Sequence, residues 1–374
     1  MSRNCNYITE EHQTYLSTVP QSINFASTQN TFVKIVLALT LLAVLSACKK
    51  TGGDRLEQEV EDVPKLEISV SALKATPNII DSEGDATYNL LGYGYDITEK
   101  YASKASVRER VINVPLFVLN NNKEAFSQSN STEGFSISLT AVNAQELSEK
   151  LSGRYDVSKG LKVFKSTILS SFPESDALSN KYGYGYFSQV FIRRRLRIEA
   201  AKGSNSLTDK FTEDVAILNA EQLVKKYGTH ILQRIHIGTR INIVYQSEIP
   251  DNAERQLAVG EGFDYVLNKV FGFFPSNGDH FNVKSLNTNS SVKLRYEVIG
   301  GDPHEIKELE IAGIRRVIVN EWDRGASESN YRFVDFDKNG LIPLYDMIVD
   351  SAKKAAVKNF ITTYITENEV KVKN

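Results

Sequence analysis

Five histidines, His12, His230, His236, His280 and His304, are the side chains best suited to acid–base or metal chemistry near neutral pH. They show no metal-pair spacing, and the chain after Cys48 offers no cysteine ligand, so no metal centre is expected. The acidic pairs Glu57 with Glu59 and Asp335 with Asp337 have the composition of a glycosidase pair, but they read as solvated charges. Gly92 and Gly94 flank Tyr93 without the third glycine of a dinucleotide-binding loop, and they fit a strand or turn. His230 reads as a satisfied, partly buried histidine. These patterns point to no catalytic residue, no cofactor and no enzyme.

One other residue is placed for chemistry. Lys34 precedes an apolar run, Ile35 to Leu45, too short to span a bilayer and close to the apolar core of an export signal. It ends in Leu45-Ser46-Ala47-Cys48, which resembles a bacterial lipobox: small residues admit the signal peptidase and the cysteine thiol takes lipid. Residues 1–47 are then a lipoprotein signal with a long N-terminal extension, the true start lying nearer Thr31, and residues 48–86, polar with Gly52, Gly53 and Pro64, form a flexible tether. Lipid attachment at Cys48 places the protein in the outer membrane, surface-exposed or released to the medium.

The remaining elements must build one domain, 87–368, with a short tail at 369–374. The chain has 374 residues, 41% apolar and 24% charged, with a net charge of -2 and no basic stripe, which speaks against a nucleic-acid partner. Its two cysteines, Cys5 and Cys48, leave the rest without a disulfide, so stability must come from a packed core. Apolar residues recur at period two in four segments: Phe135 to Ala141, Val190 to Ile198, Ile235 to Tyr245 and Val292 to Val298. Polar residues between them predict a tall antiparallel sheet with one wet face. Helices are predicted from Thr208 to Tyr227, stopping at Gly228, from Asp302-Pro303 through about Val319, and from about Leu344 to Ile365. The fold class is α+β.

Tyr227-Gly228-Thr229-His230 followed by Gly238 resembles the signature of the membrane attack complex/perforin family, with Ile231 in place of its second aromatic residue and Thr239 in place of its second glycine. A further glycine pair, Gly300-Gly301, closes the last alternating strand. Leu91-Gly-Tyr-Gly-Tyr-Asp96, Trp322 and Pro343 are similar to bacterial lipoprotein members, which resemble secreted antimicrobial toxins of the Bacteroidales. The resemblance spans about residues 88 to 366. It implies a strongly bent four-stranded antiparallel sheet, hinged at Gly300 and Gly301 and flanked by two helical clusters that unfurl into amphipathic hairpins when subunits join in a ring.

The clusters fall at Ala144 to about Tyr184 and at Ile249 to about Ser291, each long enough for two membrane strands. In the second, Phe263, Val266, Leu267, Val270, Phe271 and Phe274 recur at helical spacing. That spacing also fits a helix that never leaves the core, and the family resemblance is what makes these residues candidates for membrane insertion. The implied partners are target membrane lipids, a surface receptor and further copies in a homo-oligomeric ring. Two functions remain: a pore-forming antibacterial toxin, or a non-lytic surface adhesin or glycan-binding lipoprotein.

Overall fold

A computed structural model describes residues 66–373 apart from 74–83, 86, 122–124, 156–157, 275–280 and 312. The export signal, Cys48, Glu57 and Glu59 lie outside the described residues. Among the described residues thirteen strands follow in chain order: β1 (Ile68–Ala72), β2 (Tyr93–Tyr95), β3 (Val107–Arg110), β4 (Phe126–Asn130), β5 (Gly134–Ala141), β6 (Tyr182–Ile198), β7 (His230–Leu232), β8 (Arg234–Glu248), β9 (Ser290–Ile299), β10 (Lys307–Ile311), β11 (Ile314–Ile318), β12 (Arg332–Phe336) and β13 (Leu341–Pro343). The spine is the antiparallel run β5-β6-β8-β9, and the four predicted strands are all in it. The tall central pair, β6 with 17 residues and β8 with 15, is far longer than the usual strand of about six.

The expected wet face is absent from the middle of the sheet. Every residue of β8 from Ile235 to Ser247 is buried, including Arg240, Asn242 and Gln246, because the sheet is covered on both sides. The pleat sorts β6 into two faces. Tyr182, Tyr184 and Tyr186 enter the larger core, while Phe187 enters a second core with Ile241, Ile243 and Tyr245 of β8. On that second side the glycines of Tyr182-Gly-Tyr-Gly-Tyr186 make room for a helix: a Cβ on Gly183 would lie 2.4 Å from Val259, and one on Gly185 2.4 Å from the Phe263 ring.

Four local expectations are corrected. Thr208 to Tyr227 is two helices, Asp209–Ile217 and Ala220–Tyr227, because Asn219 leaves the first and caps the second, exchanging side-chain to backbone bonds with Gln222. Gly228 ends the second helix at a φ of 77°. Asp302 does cap a turn, accepting from the His304 N–H, yet the turn stops at Glu305 and gives way to the β10–β11 hairpin. There Gly313 turns the chain at a φ of 77° and Lys307–Ile311 pairs with Ile314–Ile318, so strand pairing replaces the expected helix. The last helix is Ser351–Asn368, capped by Asp350, and Leu344–Met347 is a separate turn. Within the stretch read as a tether, Ile68–Ala72 is a strand in register with Val292–Tyr296 of β9, since Ile68 and Val70 alternate with serines and can pack inward.

The helix–sheet joint yields a stability prediction. Phe263→Ala should cost about 3–5 kcal/mol by leaving a cavity, and Gly185→Val about 1–3 kcal/mol by overpacking. Urea denaturation of the double variant should show less than the sum, because the smaller residue 263 vacates the space the valine enters.

Candidate functional site

The chain changes partners along one line across the sheet. Above it, β6 pairs with β5 from Tyr184 to Phe191; below it, β6 pairs with β4 from Arg194 to Ile198. On the other side, β8 pairs with β9 from Arg240 to Glu248 and with β12 from Ile235 to Gly238. At the same level Ile192 pairs with Gly238 and Arg194 with Ile237, so Arg193 is an extra residue, a bulge that bends the sheet. Gly238 is required there because a Cβ would sit 2.0 Å from the Phe191 carbonyl oxygen. Gly300 and Gly301 lie where β9 leaves, with φ of 68° and 75°, conformations that glycine adopts without strain. A Cβ on Gly300 would lie 2.7 Å from the Gly238 carbonyl oxygen, and one on Gly301 2.5 Å from that of Trp322.

Polar groups fasten this line. Thr239, which stands where the family signature has glycine, is fully buried and donates to Asp323 at 2.5 Å, while the other Asp323 oxygen pairs with Arg193 at 2.5 Å. Phe191 meets Trp322 edge to face with centroids 6.0 Å apart. One step further, fully buried Arg240 donates to the carbonyls of Val334 at 2.6 Å and Ala102 at 2.7 Å, with its cation 5.7 Å from the Tyr101 ring centroid. Asp335, read from sequence as a solvated charge, is buried and accepts from Tyr101 at 2.9 Å and Tyr155 at 2.7 Å. Burial, reinforced by Asp335, holds both phenols far above their ordinary pKa, so they stay protonated donors. Its sequence neighbour Asp337 instead pairs with His236 at 2.8 Å, and that contact holds the carboxyl below its ordinary range.

The signature tetrapeptide lies elsewhere, against β2. A Cβ on Gly94 would collide with the Tyr227 carbonyl at 1.8 Å, and one on Gly228 would lie 2.6 Å from the Tyr95 carbonyl carbon. The two glycine motifs, Gly92-Tyr-Gly94 and Tyr227-Gly228, therefore fit one another. Thr229 donates to the Tyr95 carbonyl and accepts from the Ile97 N–H, both at 3.2 Å. His230 is buried with Nδ1 2.9 Å from the Thr229 hydroxyl. Tyr227 donates to Asp214 at 2.5 Å. These contacts are structural, and no group of three or more metal-ligating side chains occurs among the described residues.

The helical clusters occupy opposite faces. Leu147, Leu151 and Ile168, which follow β5, enter the core of the tyrosine face; Phe263, Val266, Leu267, Val270 and Phe271 of the helix Arg255–Phe271 fill the other. Phe274 is not on that helix. Gly272 ends it in the left-handed region, and Phe274 stands half exposed with its ring edge-on to Phe187. No described helix is long and apolar enough to cross a membrane.

Sequence reading missed the side chain that joins the clusters. Arg255 is buried and donates to the carbonyls of Val142, at 3.0 Å, of Ile249, at 3.1 Å, and of Asn180. Those residues lie just after β5, just after β8 and just before β6, so one guanidinium gathers three of the points where the clusters leave the sheet. Its sequence signal is an arginine at the first turn of an amphipathic helix, where cations are usually disfavoured.

The MAC/perforin domain model matches residues 85–374. The chain belongs to the MAC/perforin family. A protein with a MAC/perforin domain from Bacteroides thetaiotaomicron is similar in structure, with a TM-score of 0.58 at 15% identity over 78% of this chain and 62% of that one. GNIP1Aa from Chromobacterium piscinae gives 0.57 at 13% identity over 76% of this chain and 57% of that one. This MAC/perforin chain thus spans about three fifths of the length of either protein, and at these identities the likeness is one of fold. No curated protein sequence matches it.

The signature histidine supports a pH prediction. Desolvation lowers the His230 pKa from 6.5 to about 4. The unfolded chain binds a proton that the fold refuses, so the stability conferred by neutral His230 is complete above about pH 6.5 and is lost as pH falls through about 4, about 3 kcal/mol in all. His230→Gln should flatten that part of the stability profile in urea titrations, and an unchanged slope would contradict the assignment.

Proposed function

We propose that this chain is a pore-forming, non-catalytic lipoprotein, acting as an antibacterial toxin, whose copies assemble on a target membrane and insert both helical clusters as β-hairpins. The observation that carries this reading is connectivity. Each cluster joins two strands that are already hydrogen-bonded neighbours: residues 142–181 link β5 to β6, and residues 249–289 link β8 to β9. Straightening either cluster would lengthen an existing antiparallel pair without breaking the sheet.

The helix Arg255–Phe271 also supports it, because its sequence is amphipathic at two periods. As a helix it buries Val259, Phe263, Val266, Leu267 and Val270. Extended, it would place Leu257, Val259, Phe263, Tyr265, Leu267 and Phe271 on one face, interrupted by Glu261 and Lys269, with Gln256, Asp264 and Asn268 on the other. Alternation of this kind is what lipid-facing barrel strands need. Val266 and Val270 would change sides.

Anchoring belongs to the same reading: Cys48 carries lipid and positions the protein at the outer membrane, from which it can be released. Acyl labelling should be present in the wild type and absent in Cys48→Ala; equal labelling would remove the anchor.

Insertion is tested by fastening the helix to the sheet. Gly183→Cys with Val259→Cys, in a chain whose native cysteines are replaced by serine, places two thiols where Cβ of residue 183 approaches the Val259 side chain. With the bond closed, dye release from vesicles of target-membrane lipid should fall at least about tenfold while vesicle binding persists, and reduction should restore it. Undiminished release through a closed bond sinks the insertion model. Binding without release by the wild type would favour the adhesin.

A further inference from the structure

The two helical clusters cover opposite faces of the sheet and meet at the end where β5 and β8 run out and β6 begins. Arg255 stands at that meeting. Its side chain is 5% exposed, and the carboxylate beside it, Asp251, is 3.9 Å away and largely in water. The buried cation is therefore satisfied by neutral acceptors, the carbonyls of Val142, Ile249 and Asn180. It also sits in the first turn of the helix Arg255–Phe271, where the helix dipole repels it. Burying a cation is costly, and packing the start of a helix does not call for one.

The strand register shows what those carbonyls would otherwise bond. β6 and β8 pair Tyr182 with Glu248, so the next pair is Lys181 with Ile249. Half of that rung exists, since the Ile249 N–H donates to the Lys181 carbonyl at 3.1 Å. In an antiparallel ladder such a pair exchanges both bonds. Here the Ile249 carbonyl is held by Arg255 at 3.1 Å, and the Lys181 N–H turns to the Ser179 hydroxyl at 3.4 Å. On the other side β5 and β6 pair Ala141 with Tyr184, and residues of odd number on β5 face β6, as the bond from the Ile192 N–H to the Glu133 carbonyl shows. Two rungs on, the Gln145 N–H would meet the Asn180 carbonyl, which Arg255 also holds. Its bond to the Val142 carbonyl fixes the first residue after β5. The first cluster has a tie of its own, from Leu178 and Asn180 to the backbone of Lys373, but that tie leads away from the second cluster.

We infer that Arg255 is a lock common to both clusters: it occupies the carbonyls on which the β6–β8 and β5–β6 ladders would next grow, so the first cluster stays shut until the helix Arg255–Phe271 withdraws. The second cluster leads and the first follows. This order rests on the insertion proposed above, but the coupling behind it belongs to the folded chain in water. Once the helix turns away the guanidinium regains its hydration, so a lock made of a buried cation opens at less cost than an apolar plug of the same size.

The test uses the full chain with both native cysteines replaced by serine and with the Gly183→Cys, Val259→Cys bond that pins the second cluster. Hydrogen exchange is followed by mass spectrometry without lipid, in the helix Ala144–Ser152 of the first cluster and in Arg255–Phe271 of the second. With Arg255 present, closing the bond should slow exchange at least about tenfold in both helices. In Arg255→Met it should slow only the second, and the first should exchange at least about tenfold faster than in the parent chain whether the bond is open or closed. Arg255→Lys keeps the charge and most of the stem without the planar fork, and it should lose the coupling too, which covers the case of a methionine variant that does not fold. Unchanged exchange in Ser351–Asn368 reports an intact fold. A first cluster that ignores the closed bond while Arg255 is present would overturn the inference, as would one that stays coupled to the bond in the folded variants. Dye release from phosphatidylethanolamine–phosphatidylglycerol vesicles is read on the reduced samples. Coupling without release fails the pore reading alone, and release without coupling fails this inference alone.

Discussion

The approach of Gly238 to the Phe191 carbonyl is the contact on which the rest of the sheet depends. A side chain at 238 would push β6 and β8 apart where Arg193 bulges out. With the strands in contact, both edges of the central pair change neighbours at one level: β5 gives way to β4, and β9 to β12. Gly300 then has to leave β9 against the Gly238 carbonyl, and Trp322 closes over Gly301. The bend is thus one row of backbone contacts across the sheet, and the neighbouring side chains are arranged to hold it.

Charges buried beside that row have a matching role. Taking Arg240 and Asp335 out of water is costly unless hydrogen bonds satisfy them. Arg240 meets two carbonyls, Val334 of β12 among them, and Asp335 meets two tyrosines from separate segments. An alternative register of β12 against β8 would leave one of these charges buried without its partners, a penalty larger than a few apolar contacts recover. The network therefore selects one register, which apolar residues such as Ile235 and Ile237 would specify less sharply.

The spine of the fold was legible because period two survives in all four strands, and the end of the helix Ala220–Tyr227 was legible because Gly228 supplied a local signal, whereas the break at Asn219 was missed. The residues resembling the MAC/perforin signature were visible in the sequence, yet their spacing could not reveal that Tyr227-Gly228 docks on Gly94 rather than on the bend that holds Gly238. The illegible parts were set by distant partners. Asp335 looked solvated because nothing nearby announces Tyr101 and Tyr155. Asp302-Pro303 opened a turn in place of a helix because the residues after it pair with one another as the β10–β11 hairpin. Phe274 fits the helical spacing of Phe263 and Phe271, but Gly272 stops the helix first. Arg255 gave almost no sign of itself, since apart from Asp251 at 3.9 Å its partners are backbone carbonyls that any sequence would have.

Two lengths happen to agree where the helix Arg255–Phe271 lies on β6. Four helical residues rise about 6 Å, and two strand residues advance about 6.6 Å. Val259 and Phe263 therefore fall over Gly183 and Gly185 together, like two pins in two sockets. Sliding by two strand residues would carry the Phe263 ring from Gly185 onto Phe187, which faces the same core, so the two glycines fix the seating of the helix along the strand. Any motion away from the sheet would have to lift both pins at once, so the joint resists partial opening and keeps its apolar surface out of water.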